Sequence, residues 1–134
     1  MVIKLETKHI RSVAIFEQLT GVNAIDCLID EDTVYFVVEK EKIGMAIGRN
    51  GVVLKVIKNT LGKNVKIYGY SKDLKEFIKN MIPSVKNIEA NGSSVTVYVP
   101  RVMIPSVIGK NGKNIKIIKE FLKRHFNINN LRIK

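Results

Sequence analysis

The sequence predicts an α+β protein made of two tandem copies of one αββααβ unit, and three observations carry that reading. A five-residue phrase occurs twice: Ile47-Gly48-Arg49-Asn50-Gly51 returns as Ile108-Gly109-Lys110-Asn111-Gly112. The order of helical and alternating apolar patterns around the two phrases is the same. An ungapped shift of 61 residues also lays apolar positions on apolar positions, with Phe16 on Phe77, Val34 on Val95, Val38 on Val99, Ile57 on Ile118 and Leu61 on Leu122. Duplication of one structural unit requires that correspondence. The expected domains are residues 1–70 and 71–134. A linker of only about Gly69 to Lys72 predicts a rigid tandem rather than two loosely strung units.

Taken in order, Thr7 to Leu19 carries Ile10, Val13, Phe16 and Leu19 at helical spacing, and Gly21 ends the pattern. Met1 to Thr20 holds charges throughout, so the start of the chain reads as an amphipathic helix rather than a secretory signal. Ala24 to Ile29 and Thr33 to Val38 read as strands around the acidic turn Asp30-Glu31-Asp32, with Val34, Phe36 and Val38 on one face and Tyr35 and Val37 on the other. Glu41 to Ile47 is a short helix. After the glycine loop, Val52 to Leu61 is a second helix stopped by Gly62, and Asn64 to Tyr68 closes the unit as a strand.

The second unit repeats the order. Ser71 is the expected cap of a helix running through Met81, with Leu74, Phe77, Ile78 and Met81 as its buried stripe and Pro83 beyond its end. Val85 to Ala90 and Ser94 to Val99 form a hairpin around Asn91-Gly92. Arg101 to Val107 is the short helix, where Pro105 predicts a broken or very short turn. Lys113 to about His125 is the longest helix, and Asn130 to Ile133 the last strand.

Composition narrows the function. The 134 residues are 46% apolar, enough for folded cores. No apolar run is long enough to cross a bilayer. The single cysteine, Cys27, cannot form an internal disulfide and has no zinc-type spacing around it. It reads as a small apolar filler in a strand, in a reducing, cytoplasmic setting. The net charge is +11, unevenly placed: residues 1–70 are net +2 and residues 71–134 net +9. So basic a second half attracts polyanions, of which nucleic acid is the commonest inside a cell.

The repeated phrase suits an anion. Glycine lets a backbone approach another molecule closely, and the free N–H groups of the helix that follows point outward with the positive end of the helix dipole. Gly48, Gly51, Gly109 and Gly112 give that access. Arg49 and Lys110 add charge, while Asn50 and Asn111 tolerate left-handed backbone and can hydrogen-bond. Lys55 and Lys58, with Lys113, Lys116 and Lys119, lie three or four residues apart on the following helices and read either as a continuing phosphate track or as a solvated face. Arg101 and Lys40, at the start of the short helices, stand in the same position. Ile47, Leu54, Ile108 and Ile115 belong to the cores rather than to base contacts.

No catalytic or metal site is expected. His9 and His125 are isolated surface or helix-end residues, and the three consecutive carboxylates of Asp30 to Asp32 diverge in a solvated turn. The chain lacks the P-loop pattern, and neither glycine loop is followed by the Ser or Thr that would hold magnesium. It also lacks a nucleophile–base pair. A nucleotide-hydrolysing enzyme is therefore the least supported class, and no cofactor or small-molecule substrate is expected.

I-G-x-x-G opening an apolar helix, twice and in matching units, resembles the KH domain, whose GxxG loop clamps a nucleic-acid backbone. The αββααβ order resembles its type II arrangement, which implies three strands in a mixed sheet with helices packed on one face. Two such units in a basic chain of this size resemble the archaeal NusA-like family of transcription termination and antitermination factors. Ala46-Ile47-Gly48-Arg49-Asn50-Gly51 and the stretch Lys119 to Phe126 are nearest to that family, and the resemblance spans Thr7 to Ile133. It implies a groove on each unit, walled by the short helix, the loop and the next helix on one side and a strand on the other. Such a groove holds about four nucleotides of single-stranded RNA. The implied partners are a nascent transcript and RNA polymerase, with no membrane, and a monomer is expected. The alternative is a ribosome-associated or ribosome-assembly KH protein bound to ribosomal RNA.

Overall fold

Residues 7–134 are described by a computed structural model; the expectation for residues 1–6 lies outside them. The chain divides into two units, Met1–Ser71 and Lys72–Lys134. The first contains α1 (Thr7–Thr20), β1 (Asp26–Ile29), β2 (Thr33–Glu39), α2 (Ile43–Ile47), α3 (Val52–Leu61) and β3 (Asn64–Tyr70). The second contains α4 (Leu74–Met81), β4 (Asn87–Asn91), β5 (Ser94–Tyr98), α5 (Ile104–Ile108), α6 (Lys113–Phe126) and β6 (Asn130–Ile133). Both follow the αββααβ order.

In the first unit β2 is the middle strand. It pairs antiparallel with β1 (Cys27 opposite Phe36) and parallel with β3 (Val34 opposite Val65, Val38 opposite Gly69). The parallel pairing is possible because α2 and α3 supply the crossover. The core forms where the helices meet the sheet: Phe16 of α1 stacks on Phe36 of β2 with ring centroids 4.1 Å apart, among Val34, Val38, Ala46 and Ile57. Cys27 lies in this core, as a small apolar residue would. Tyr35 and Val37, on the other face of β2, are buried too, so this strand reads as a continuous apolar run rather than an alternating one.

The acidic turn is more than a solvated tip. Asp30 Oδ1 accepts from the N–H groups of Asp32 and Thr33, and Asp30 Oδ2 accepts from the Tyr35 hydroxyl at 2.9 Å. Burial, and then the Asp30 carboxylate, push the Tyr35 phenol above its ordinary range. Burial alone pushes Tyr68, whose ring stacks 6.3 Å from Tyr35, up to about 12. Unlike the linker position expected of it, Gly69 lies inside β3. A Cβ there would meet Ile43 Cδ1 at 2.9 Å and Lys40 Cα at 3.3 Å, so only a glycine lets the chain entering α2 rest on the strand.

The second unit has the same mixed sheet, β4-β5-β6, with β4 antiparallel and β6 parallel to β5. Its buried helical residues are Phe77, Ile78, Met81, Val107, Ile117, Ile118, Phe121 and Leu122, and its buried strand residues include Ile88, Val95, Val97 and Leu131. One local expectation is corrected: Asp73, not Ser71, caps α4, because its carboxylate accepts from the Glu76 N–H at 3.1 Å. The short turn expected around Pro105 is present, for α5 has only five residues, with the proline in its first turn, where no intrahelical N–H bond is lost. Before both short helices the chain makes one 3-10 turn, Lys40–Lys42 and Arg101–Met103. His125 is in the last turn of α6, as a helix-end residue would be, but its ring packs edge-on against Phe77 at 6.0 Å instead of lying on the surface.

Candidate nucleic-acid interface

The two glycine loops adopt one conformation. Gly48 and Gly109 have φ, ψ of 78°, 168° and 79°, 167°. Asn50 and Asn111 follow at 57°, 24° and 58°, 27°, and Gly51 and Gly112 at 72°, 18° and 72°, 16°. Three left-handed residues within four positions are tolerated only by Gly and Asn, which explains why those types fill them. In each loop the second glycine donates its N–H to the carbonyl of the first at 3.1 Å, and the first donates back into the short helix, Gly48 to Gly44 and Gly109 to Pro105. A sharp elbow results, joining α2 to α3 and α5 to α6.

The paired glycines have different jobs. A Cβ on Gly48 would lie 2.5 Å from Val53 Cγ2, and one on Gly109 would lie 2.8 Å from the backbone nitrogen of Asn114. The first glycine therefore lets the elbow close onto the first turn of the following helix. Around Gly51 there is nothing within 4 Å, and beside Gly112 only Ile115 at 3.8 Å. The second glycine thus presents open backbone at the helix N-terminus, and no side chain caps α3 or α6 there. Val52 and Lys113 donate their N–H groups to the Arg49 and Lys110 carbonyls; the positive end of the helix dipole and the room beside the second glycine are features that suit an anion.

Arg49, Asn50, Lys110 and Asn111 are exposed at the tips of the elbows. On the helices that follow, Lys55, Lys116 and Lys119 are exposed while Lys58 and Lys113 are half-buried, and Arg101 is exposed in the 3-10 turn before α5. Each loop thus lies with the basic residues of its own unit on continuous elements. Ile47, Leu54, Ile108 and Ile115, expected in the cores, are all partly buried. Of these, Leu54 packs against the first unit's core.

Around the elbows the units diverge. Val52, the first residue of α3, is 57% exposed where the second unit has Lys113, and Met45 is 53% exposed where the second unit has Ser106. Asn114 occupies the place of Val53 and donates from Nδ2 to the Val107 carbonyl at 2.9 Å, tying the first turn of α6 to the end of α5. It was not singled out in the sequence. The available signal was a polar residue falling on an apolar one when the repeats are aligned. Among the described residues no group of three or more His, Cys, Asp or Glu side chains could hold a metal ion, and no helix is long and apolar enough to cross a membrane.

Comparison with known proteins agrees with this geometry. The KH domain family matches twice, over residues 11–87 and 94–129. A Methanococcus vannielii protein named "Probable transcription termination protein NusA" is 35% identical over 99% of this chain and 80% of its own length. A protein of the same name from Halobacterium salinarum is 31% identical over 99% of both chains. A solved structure described as "Crystal structure of APE1850" superposes with a TM-score of 0.76 at 33% identity, covering 93% of this chain and 96% of the other.

Proposed function

The chain belongs to the KH-domain family, and within it to the archaeal NusA proteins; from that premise we propose that it binds single-stranded RNA without catalysis and acts in transcription termination or antitermination. The observation that carries the reading is the pair of superposable elbows. Each places an uncapped, glycine-opened helix N-terminus beside an exposed basic residue, Arg49 or Lys110. Phosphates of the strand lie over Gly51 and Gly112, and Lys55, Lys58, Lys113, Lys116, Lys119 and Arg101 neutralise their neighbours. The strand is a nascent transcript held near RNA polymerase, and the protein acts as a monomer with domains 1–70 and 71–134. Joining two weak sites in one chain makes the second contact intramolecular and raises the overall affinity. The names of the relatives favour transcription over the ribosomal alternative.

The test is charge reversal at both elbows. Replacing Arg49-Asn50 and Lys110-Asn111 each by Asp-Asp puts like charge against the phosphate at exposed positions where Asp tolerates the left-handed backbone. RNA binding is expected to vanish while the circular dichroism spectrum is unchanged. Undiminished affinity in a folded variant would refute the site.

A further inference from the structure

The second unit carries a feature that the first lacks. The helix after the loop has 14 residues in the second unit and 10 in the first. In the first unit Gly62 caps α3 in left-handed backbone and β3 starts two residues later. In the second the helix runs a further turn, is capped by Asn127 in left-handed backbone, and turns through Ile128 and Asn129 into β6. A depression of about 200 Å3 lies between α6 and the edge strand β6, reached by Lys123 from that extra turn.

Its chemistry is one-sided. Lys116, Lys119 and Lys123 stand on its helical side, Asn129 and Asn130 on the other, over the buried Ile128. All three lysines and both asparagines are exposed. Asn129 and Asn130 spend their backbone N–H groups on the Ser93 carbonyl, at 2.8 Å and 3.2 Å, which fixes where their side-chain amides begin. Glu120, the carboxylate in the lining, lies 3.8 Å from Arg124.

We propose that this depression is a second anion site, taking the phosphodiester backbone of the same RNA strand beyond the nucleotides held at the second elbow. The proposal rests on the RNA-binding reading above and adds Lys123, Asn129 and Asn130 to it. Continuity is the reason for choosing RNA over an acidic protein. The elbow and the depression share one rigid helix: Lys116 stands about one turn beyond Gly112 and Lys123 about 17 Å along the axis. A strand whose phosphate rests on Gly112 passes the lysines in order, and the amides suit both phosphate oxygens and ribose hydroxyls. When the repeats are aligned, Lys55 and Lys58 fall on Lys116 and Lys119 but Gly62 falls on Lys123, so the first unit lacks the third lysine.

The experiment titrates the whole chain and its K123Q/N129A/N130A variant, which spares the residues assigned to the elbow, with a short and a long oligonucleotide of one base, about four and about twelve nucleotides, at several salt concentrations. The expected result is unchanged affinity for the short strand, a smaller gain with length, and a fall of about 0.7 in the salt slope for the long one. Equal losses on both strands would place these residues at the elbow and overturn the proposal, as would no loss on either. Polyglutamate competing with the long strand as well as an oligonucleotide of equal charge would assign the surface to an acidic protein instead. The elbow variants keep the two readings apart. If they leave short-strand binding intact, the RNA function fails; if only the K123Q/N129A/N130A variant is silent, the depression alone fails.

Discussion

Gly48 is held against Val53 so closely that a methyl group on it would come within 2.5 Å of the valine Cγ2, whereas Gly51, three residues later, has nothing within 4 Å of its missing side chain. Two glycines of one motif thus answer to different constraints, one to packing and one to access. Gly48→Ala, with a left-handed φ of 78° and a collision, is expected to cost about 2–3 kcal/mol. Gly51→Ala meets only the left-handed strain, about 1 kcal/mol. Urea denaturation of the two variants checks the order, and equal destabilisation would contradict it.

The units should differ in how much of their RNA affinity is electrostatic. The second unit carries most of the net charge of +11, so reversing Lys110-Asn111 alone should flatten the salt dependence more than reversing Arg49-Asn50 alone. The converse is a gain of function. Val52→Lys places in α3 the cation that Lys113 supplies to α6, and should steepen the salt slope by about 0.7. Titration at four or five salt concentrations reads both effects. A Val52→Lys slope equal to that of the parent would show that the first turn of α3 does not approach the strand.

Helix α4 depends on its cap. It has only eight residues, and Asp73 satisfies one of its unpaired N–H groups. Asp73→Ala is expected to lower stability by about 1 kcal/mol, while Ser71→Ala should have little effect. Thermal melts of the two variants distinguish the caps.

Alkaline pH should weaken the first unit. Tyr68 has its folded pKa raised from 10.0 to about 12, so the folded state holds a proton that the unfolded chain releases earlier. The stabilisation is complete below about pH 10 and is lost as pH rises through about 12. Tyr68→Phe removes the titrating group, and its unfolding midpoint should fall less between those values than the parent's. A parallel fall in both proteins would exclude Tyr68 as the source.

Much of this fold was legible because periodicity and punctuation agreed. Val52–Leu61 has a glycine at each end, and Asn130–Ile133 alternates cleanly, so both elements lie where the pattern puts them. Errors arose where two residues competed for one role. Ser71 and Asp73 are both capping types, and only the bond to Glu76 separates them. Gly69 reads as a linker residue in a one-dimensional pattern, although its role is to let Lys40 and Ile43 come near a strand. The elbows were visible as a repeated phrase. The depression beside α6 was not, since it joins lysines on a helix to asparagines beyond it, and only the left-handed turn at Asn127 brings them together.

The matching torsions of the two elbows have a consequence for how such a protein can be tuned. Under the RNA-binding reading proposed above, aim is set by the glycines and asparagines, whose angles agree to within a few degrees, and grip by neighbours such as Lys113, which do not enter that geometry. Strength of hold and direction of presentation are therefore separately adjustable, and either unit can be made stickier or more permissive without redirecting the strand that crosses it.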